Sequence, residues 1–260
     1  MARYKVLVIV PFPLSQKGMA NRRAQLAGQT IDPEIEFEFV PVRSSGTLLD
    51  SNPDFLQLDL AIYEAGIGAE REGYSAVCID TVSDSGMSAL RSRLNIPVIG
   101  PGQAMFHLAC QLGKRFSILS MSDGTVAVMS LYRKLLAEYE LAHRCASIRL
   151  ANAGMDWENL MSGKETVIFP KLESEARKAI EEDGADVICL GSTTMHQAGK
   201  YLSDGLSVPV LNPGPISYKL AELMLKANLR HSKTAYPAPH KPMDDKFHAM
   251  MEAAQKFPWP

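Results

Sequence analysis

Two stretches of this chain are built to one plan, and they limit what it can fold into. They are Ala76-Val-Cys-Ile-Asp-Thr81-Val-Ser-Asp-Ser-Gly86 and Ala185-Asp-Val-Ile-Cys-Leu-Gly-Ser192-Thr-Thr-Met195. Each is a short apolar run that ends in small hydroxyl residues and then enters a helical pattern. A strand covered by helices on both faces reads this way, because neither face meets water. Open α/β sheets bind ligands at the carboxyl ends of such strands. One such strand end is ordinary. Two, roughly 110 residues apart and dressed alike, predict two related lobes with a site in the cleft between them.

The rest of the chain alternates strand and helix. Strands are expected at 4–10, 34–42, 75–80, 95–100, 115–120, 146–150, 187–190 and 208–211. Helices are expected at 17–29, 54–72, 85–94, 103–112, 126–140, 169–183, 194–202 and 215–227. Pro11 and Pro13 force a loop after the first strand, since proline has no ladder donor and restricts its predecessor. Gly86 is expected close to the ligand backbone. Alternation of this kind predicts parallel βαβ units with right-handed connections, an α/β fold of two pseudo-symmetric lobes. Residues 1–100 together with 212–260 are expected to form lobe 1, including a return helix and tail, and 101–211 lobe 2. A short amphipathic piece at 244–256 reads as a docking tail or an oligomer contact.

Composition narrows the function classes. The chain is 46% hydrophobic and 22% charged, with a net charge of −2. No basic stripe points to nucleic acid. No apolar run reaches the ~18–20 residues of a membrane span, and the basic start, interrupted by proline and without a cleavage site, reads as a strand. The four cysteines form no CxxC and no Cys/His cluster, which argues against a disulfide framework or a zinc site, so a reducing cytoplasm is the expected compartment. Gly100-Pro-Gly102 lacks the third glycine of a dinucleotide loop, and neither a GxxxxGK[ST] nor a GxSxG motif occurs.

Six blocks in order resemble the aspartate/glutamate/hydantoin racemase superfamily, most nearly its hydantoin-racemase branch. Residues 73–86 resemble the strand that ends in Cys-x-x-Asp-Pro-Gly. Residues 97–104 resemble a Pro-Val-x-Gly-x-x-Glu-Ala turn. Residues 115–119, 185–195 and 208–211 and the tail at 232–237 supply the others, with 190–195 standing against Leu-Gly-Cys-Ala-Gly-Met. The resemblance implies an enzyme without a cofactor; the expected substrate is a small carboxylate or cyclic amide, with no metal, and a homo-oligomer is expected. It implies two cysteines facing each other across the substrate, one removing and one supplying the α-proton, a task suited to a thiol pKa near neutrality.

Those two positions hold Thr81 and Ser192 here. Cys78 and Cys189 lie three residues upstream inside strand patterns, where they read as core. The amino-terminal Asn-Pro-Asn-x-Ser motif is altered to Val10-Pro11-Phe12-Pro13-Leu14-Ser15, which suggests a more apolar substrate, and Gln103 replaces a glutamate. The implied substrate-binding residues are Pro11, Phe12, Ser15, Val82, Ser83, Asp84, Gln103, Thr193, Thr194 and Asn212. Tyr236 could reach the site from a neighbouring lobe on the same analogy.

Three readings of Thr81 and Ser192 stand side by side. In the first, the hydroxyls are helix caps at a degenerate, non-catalytic binding site. In the second, they donate hydrogen bonds in enolate chemistry, as in an isomerase, decarboxylase or other lyase, with Asp80, Asp84 or His196 as the base. In the third, Ser192 or Thr81 is a nucleophile activated by His196, as in a hydrolase. His196 lies one helical turn past Ser192, and Asp84 also reads as a helix cap. His107, His143, His231 and His240 read as structural or tail residues.

Overall fold

The computed structural model describes residues 3–46, 49–122, 124, 126–153 and 163–257. The chain divides into two compact units. Met1–Leu14, Ala27–Gly100 and Ser217–Pro260 form the first, and Ser15–Leu26 and Pro101–Ile216 the second.

The first unit is a parallel four-stranded sheet in the order β2-β1-β3-β4, made of β1 (Tyr4–Val10), β2 (Ile35–Pro41), β3 (Ala76–Ile79) and β4 (Val98–Ile99). Val6 to Val10 and all of β3 are buried. Their unbroken apolar run is that of a strand covered on both faces. Helix α2 (Asn52–Gly66) starts on Ser51, whose hydroxyl accepts the Asp54 N–H, and carries proline in its first turn, where a missing donor costs nothing. It buries Leu58, Ala61 and Ile62. Helix α3 (Met87–Arg93) precedes β4, and α8 (Pro213–Lys226) contributes Tyr218, whose ring packs 5.1 Å from Phe37 of β2.

The second unit repeats the arrangement. Its strands β5 (Phe116–Ser120), β6 (Cys145–Leu150), β7 (Val187–Leu190) and β8 (Val210–Leu211) are parallel in the order β6-β5-β7-β8. Helices α6 (Glu165–Glu181) and α7 (His196–Gly205) bury Leu172, Ala176, Ala198 and Leu202 with Ile188 and Leu190 of β7. Helix α4 (Pro101–Leu112) stacks Phe106 on Phe116 of β5 at 5.5 Å. Helix α5 (Val126–Glu138) follows β5, and α1 (Gln16–Arg23) belongs to this unit.

Several boundaries differ from the sequence expectation. The helix expected at 17–29 ends at Arg23 and tightens into a 3-10 turn over Ala24–Leu26. It groups with the second unit, where it sends Arg22 onto Thr193. The return to the first unit falls after Ile216, inside α8, rather than at 212. Helix α6 begins at Glu165 and carries Pro170 in its interior. The piece at 244–256 is helix α9 (Asp244–Ala254), which docks on its own unit. There Arg93 makes a bidentate pair with Asp244, Phe247 packs on Tyr63 at 4.8 Å, and His248 meets the buried Glu64 carboxylate at 2.7 Å. Among the described residues no helix is long and apolar enough to cross a membrane.

In both units the strand order reverses between the first and third strands, β1 and β3 in one, β5 and β7 in the other. At such a switch point the connections leave in opposite directions and open a crevice at the carboxyl ends of the two strands. The two stretches singled out in the sequence are the third strands of their units.

Candidate functional site

In the first unit the crevice is framed by the segments after β1 and β3. Asp80 donates its N–H to Ile9 O at 2.9 Å as the ladder ends, and Val42 donates to Val10 O at 3.0 Å. Pro11 ends β1, and Phe12, 1% exposed, turns back so that Leu14 N–H reaches Phe12 O. Pro11, Phe12, Thr81, Val82, Ser83 and Asp84 thus belong to one unit and to adjacent strand ends.

After β3 the hydroxyls of alternate residues form a chain. Thr81 Oγ1 lies 3.0 Å from Ser83 Oγ, which lies 3.0 Å from Ser85 Oγ. Thr81 is half-buried, whereas Ser83 and Ser85 are buried. The turn is held by Asp84 N–H on Thr81 O at 3.1 Å and by a left-handed Asp84, φ 51°, a conformation that Asp tolerates better than most residues. The cap position of α3 falls at Gly86, not at Asp84, and has no side-chain capping bond. Gly86 itself faces α2: its N–H donates to Asp59 Oδ1 at 3.0 Å, and a Cβ there would stand 3.0 Å from Asp59 O. Its glycine is required by φ 70° and by that helix, rather than by a ligand. Asp80 is 1% exposed beside Thr81.

The second unit holds Ser15, Gln103, Ser192, Thr193, Thr194, His196 and Asn212. Gly191 N–H closes the ladder onto Leu119 O at 2.8 Å, the counterpart of Asp80 on Ile9. Ser192 then caps a 3-10 turn, accepting the Thr194 N–H at 3.2 Å, and its Oγ lies 2.7 Å from Thr194 Oγ1. Thr194 Oγ1 in turn lies 3.2 Å from Met121 Sδ, at the end of β5. Tyr132 of α5, 3% exposed, holds the Gly191 carbonyl at 2.8 Å, and burial pushes its phenol up to about 12. Gly191 has no alternative here, since a Cβ would stand 2.5 Å from the Tyr132 hydroxyl oxygen.

Arg22, fully buried, donates to Thr193 Oγ1 at 3.0 Å. Burial first, and this guanidinium second, push His196 down to about 4, against a counter-pull from the Asn21 backbone. Asn212 donates to His196 O at 3.4 Å, and its Oδ1 is buried without a hydrogen-bond partner among the described residues. Ser15 is exposed and caps α1 by accepting the Gly18 N–H at 3.3 Å. Gln103 lies in the first turn of α4, where its carbonyl meets His107.

Two chemical consequences follow. Ser192 Oγ bonds only to Thr194 among the described residues, so it has no basic neighbour to activate it as a nucleophile. The thiols of Cys78 and Cys189 are fully buried, and desolvation holds both far above the ordinary thiol range. Tyr236 of the first unit packs its ring 6.0 Å from that of His231. It accepts from Arg91 at 3.1 Å, under a tail that Lys233 pins to the last carbonyls of α3. Arg22, Ser85, Met121 and Tyr132 are neighbours the sequence reading missed. Arg22 sits in a basic Arg-Arg pair that reads as solvated, and Tyr132 sits in an amphipathic helix that reads as core.

Two parallel four-stranded sheets of the same strand order flanked by helices define a class of α/β protein. Residues 15–221 fit the Asp/Glu/Hydantoin racemase family, and the chain belongs to it. A hydantoin racemase of Paenarthrobacter aurescens is 26% identical over 227 residues, 87% of this chain and 94% of that one. Allantoin racemase from Klebsiella pneumoniae superposes with a TM-score of 0.80 at 24% identity, covering 92% of this chain and 95% of its own. A double mutant of arylmalonate decarboxylase in its liganded form superposes at 0.65 with 16% identity, over 90% and 97%. The last two likenesses establish the fold.

Proposed function

We propose that this protein is a cofactor-independent isomerase or lyase that stabilises an enolate next to a carbonyl of a small carboxylate or cyclic amide. Thr81 and Ser192 stand at the two positions where the family resemblance implies thiols. The observation that carries the reading is the equivalence of these residues. Each follows the third strand of its unit, three residues past a buried cysteine, at a switch point where parallel sheets bind ligands. Hydroxyls are poor bases near neutrality but good donors, so they suit an oxyanion better than two-base proton exchange. A decarboxylation fits that chemistry. The carbon–carbon bond breaks, its electron pair enters the enolate, carbon dioxide leaves, and a proton is then taken up at the same carbon. The hydrolase alternative has less behind it, because Ser192 Oγ bonds only to Thr194 among the described residues.

The test is a panel of 5-substituted hydantoins and 2-substituted malonates incubated with the protein in D₂O. Deuterium at the carbon next to the carbonyl, or release of carbon dioxide, supports the reading. A panel without exchange or turnover sinks it and favours a binding protein on the same scaffold. Thr81→Cys combined with Ser192→Cys is expected to introduce or raise racemisation.

A further inference from the structure

The first unit holds a second concavity, at the amino ends of the strands, whereas Thr81 follows the carboxyl end of β3. It measures about 750 Å³ and lies where Tyr4 opens β1, Ser75 precedes β3 and Ile96-Pro97 leads into β4. The end of α8 and the turn after it, up to Arg230, close its other side. β1 runs for seven residues, roughly 20 Å, so the two ends of the sheet are separate places on this unit. A volume of this size suits a small organic molecule rather than a bare ion.

Much of its wall is apolar. Pro97 is buried, Ile96, Met224 and Leu225 are half-buried, and Leu229 is exposed. The charged groups divide into those already matched and those that are not. Lys226 is held by Asp32 at 2.8 Å and by Glu34 at 2.6 Å. The Glu70 carboxylate accepts the Asn95 N–H at 3.1 Å and the Asn95 side-chain amide at 3.3 Å. Carbonyls at the end of α8 would oppose an anion, but they are occupied: Leu229 N–H donates to Met224 O at 2.8 Å and Asn228 N–H to Leu225 O at 3.2 Å. Two cations remain. Arg3, laid over the Tyr4 ring at 5.1 Å, and Arg230 have no carboxylate partner among the described residues. A single unpaired arginine is an ordinary surface feature; here two line one apolar concavity.

We infer that this cavity is a binding site for a small organic anion, an apolar or aromatic body carrying one carboxylate or phosphate. A guanidinium pairs such a head through parallel N–H···O bonds, a geometry that lysine does not offer. Arg3 already rests on Tyr4, so it gives up little freedom on pairing. The body of the ligand is taken by Ile96, Pro97, Met224 and Leu225, whose contribution is burial and carries no direction. The site is independent of the chemistry proposed for Thr81 and Ser192.

NMR of the intact, methyl-labelled protein tests this, with titrations of phenyl phosphate, phenylacetate, benzyl alcohol and inorganic phosphate. An aryl anion should shift the methyls of Ile96, Leu225 and Leu229, and equally so in Thr81→Val, which separates this cavity from the strand ends opposite. Whichever aryl anion binds more tightly identifies the head and should bind at least ~10-fold more tightly than neutral benzyl alcohol. Inorganic phosphate, which lacks the body, should bind at least ~10-fold more weakly than phenyl phosphate if phosphate is the head. Arg3→Gln and Arg230→Gln should each weaken the aryl anion about 10-fold. Leu229→Glu, which brings a carboxylate to the cavity, should abolish binding and serves if an arginine variant fails to fold. The inference is overturned if neither aryl anion shifts these methyls at millimolar concentration, if benzyl alcohol binds as tightly, or if the folded arginine variants bind as the wild type does. Turnover is not read, so a substrate panel without exchange would sink the proposed reaction and leave this site standing.

Discussion

At the scale of single residues, the environment of His196 decides what it can do. Its ring, ordinarily near 6.5, is held at about 4 by burial and by Arg22, so at neutral pH it is uncharged and a weak base. The sign of the stability effect follows. Above pH 6.5 the ring is neutral in both folded and unfolded chains. Below it the unfolded chain takes up the proton first, so stability falls as the pH drops from 6.5 towards 4 and is insensitive to this ring below that. His231, whose Nε2 accepts the Val98 N–H at 2.8 Å, is held at about 4 by burial and Arg91 and adds to the loss in the same window. Each ring contributes about 1–3 kcal/mol once solvent screening is allowed for. Denaturant midpoints between pH 7 and 4 should show this loss, and His196→Gln should remove part of it. In NMR, the His196 ring should titrate near 4. A midpoint near 6.5 would restore His196 as a candidate general base.

Thr81 and Ser192 were legible as residues because small hydroxyls closing an apolar run are conspicuous. Their partners were not. Met121 and Tyr132 are ordinary apolar positions in the sequence, and their role arises from a strand and a helix distant along the chain. Tyr132→Phe leaves the buried Gly191 carbonyl without its donor and should cost about 1–2 kcal/mol in unfolding free energy, read from a denaturant midpoint. A shift below a few tenths of a kcal/mol would mean that the bond is not made in solution.

At the scale of elements, the strand-to-helix turns are the constrained parts. A Cβ on Gly191 would press on Tyr132 and stand 3.1 Å from the Leu119 carbonyl, and one on Gly100 would stand 2.6 Å from the Asp84 carboxyl carbon. Gly191→Ala and Gly100→Ala should each destabilise by about 1–3 kcal/mol, with Gly28→Ala a control for conformational cost alone, since it has open space around it. Differential scanning calorimetry of the three checks the ranking. Element type was readable throughout because the apolar periods are strong. Helix ends were less so. Pro170 lies inside α6 rather than near its start, and α1 stops early where its backbone tightens into the 3-10 turn.

At the scale of the whole molecule, the doubled strand order explains why two distant stretches share one pattern: each is the third strand of a 2-1-3-4 sheet. That repeat could be expected from the sequence, but the membership of α1 could not, because nothing local marks the unit onto which a connecting helix packs. The tail is an integral part of the first unit, through Arg93 with Asp244 and through buried Met251. Arg93→Ala should therefore lower the stability of that unit, with amide hydrogen exchange rising first along α9.

We propose that hydroxyl-bearing strand ends, and not thiols, carry the chemistry. The direct measurement is α-proton exchange in D₂O on the best substrate of the panel, before and after exhaustive alkylation under native conditions, and in Thr81→Val and Ser192→Ala. Cys78 and Cys189 are fully buried with their thiols strongly protonated, so exchange should survive alkylation. It should fall by about 100-fold or more when Thr81 loses its hydroxyl, the scale of one lost oxyanion donor. Exchange abolished by modification of Cys78 or Cys189, with both hydroxyl variants unaffected, would contradict it.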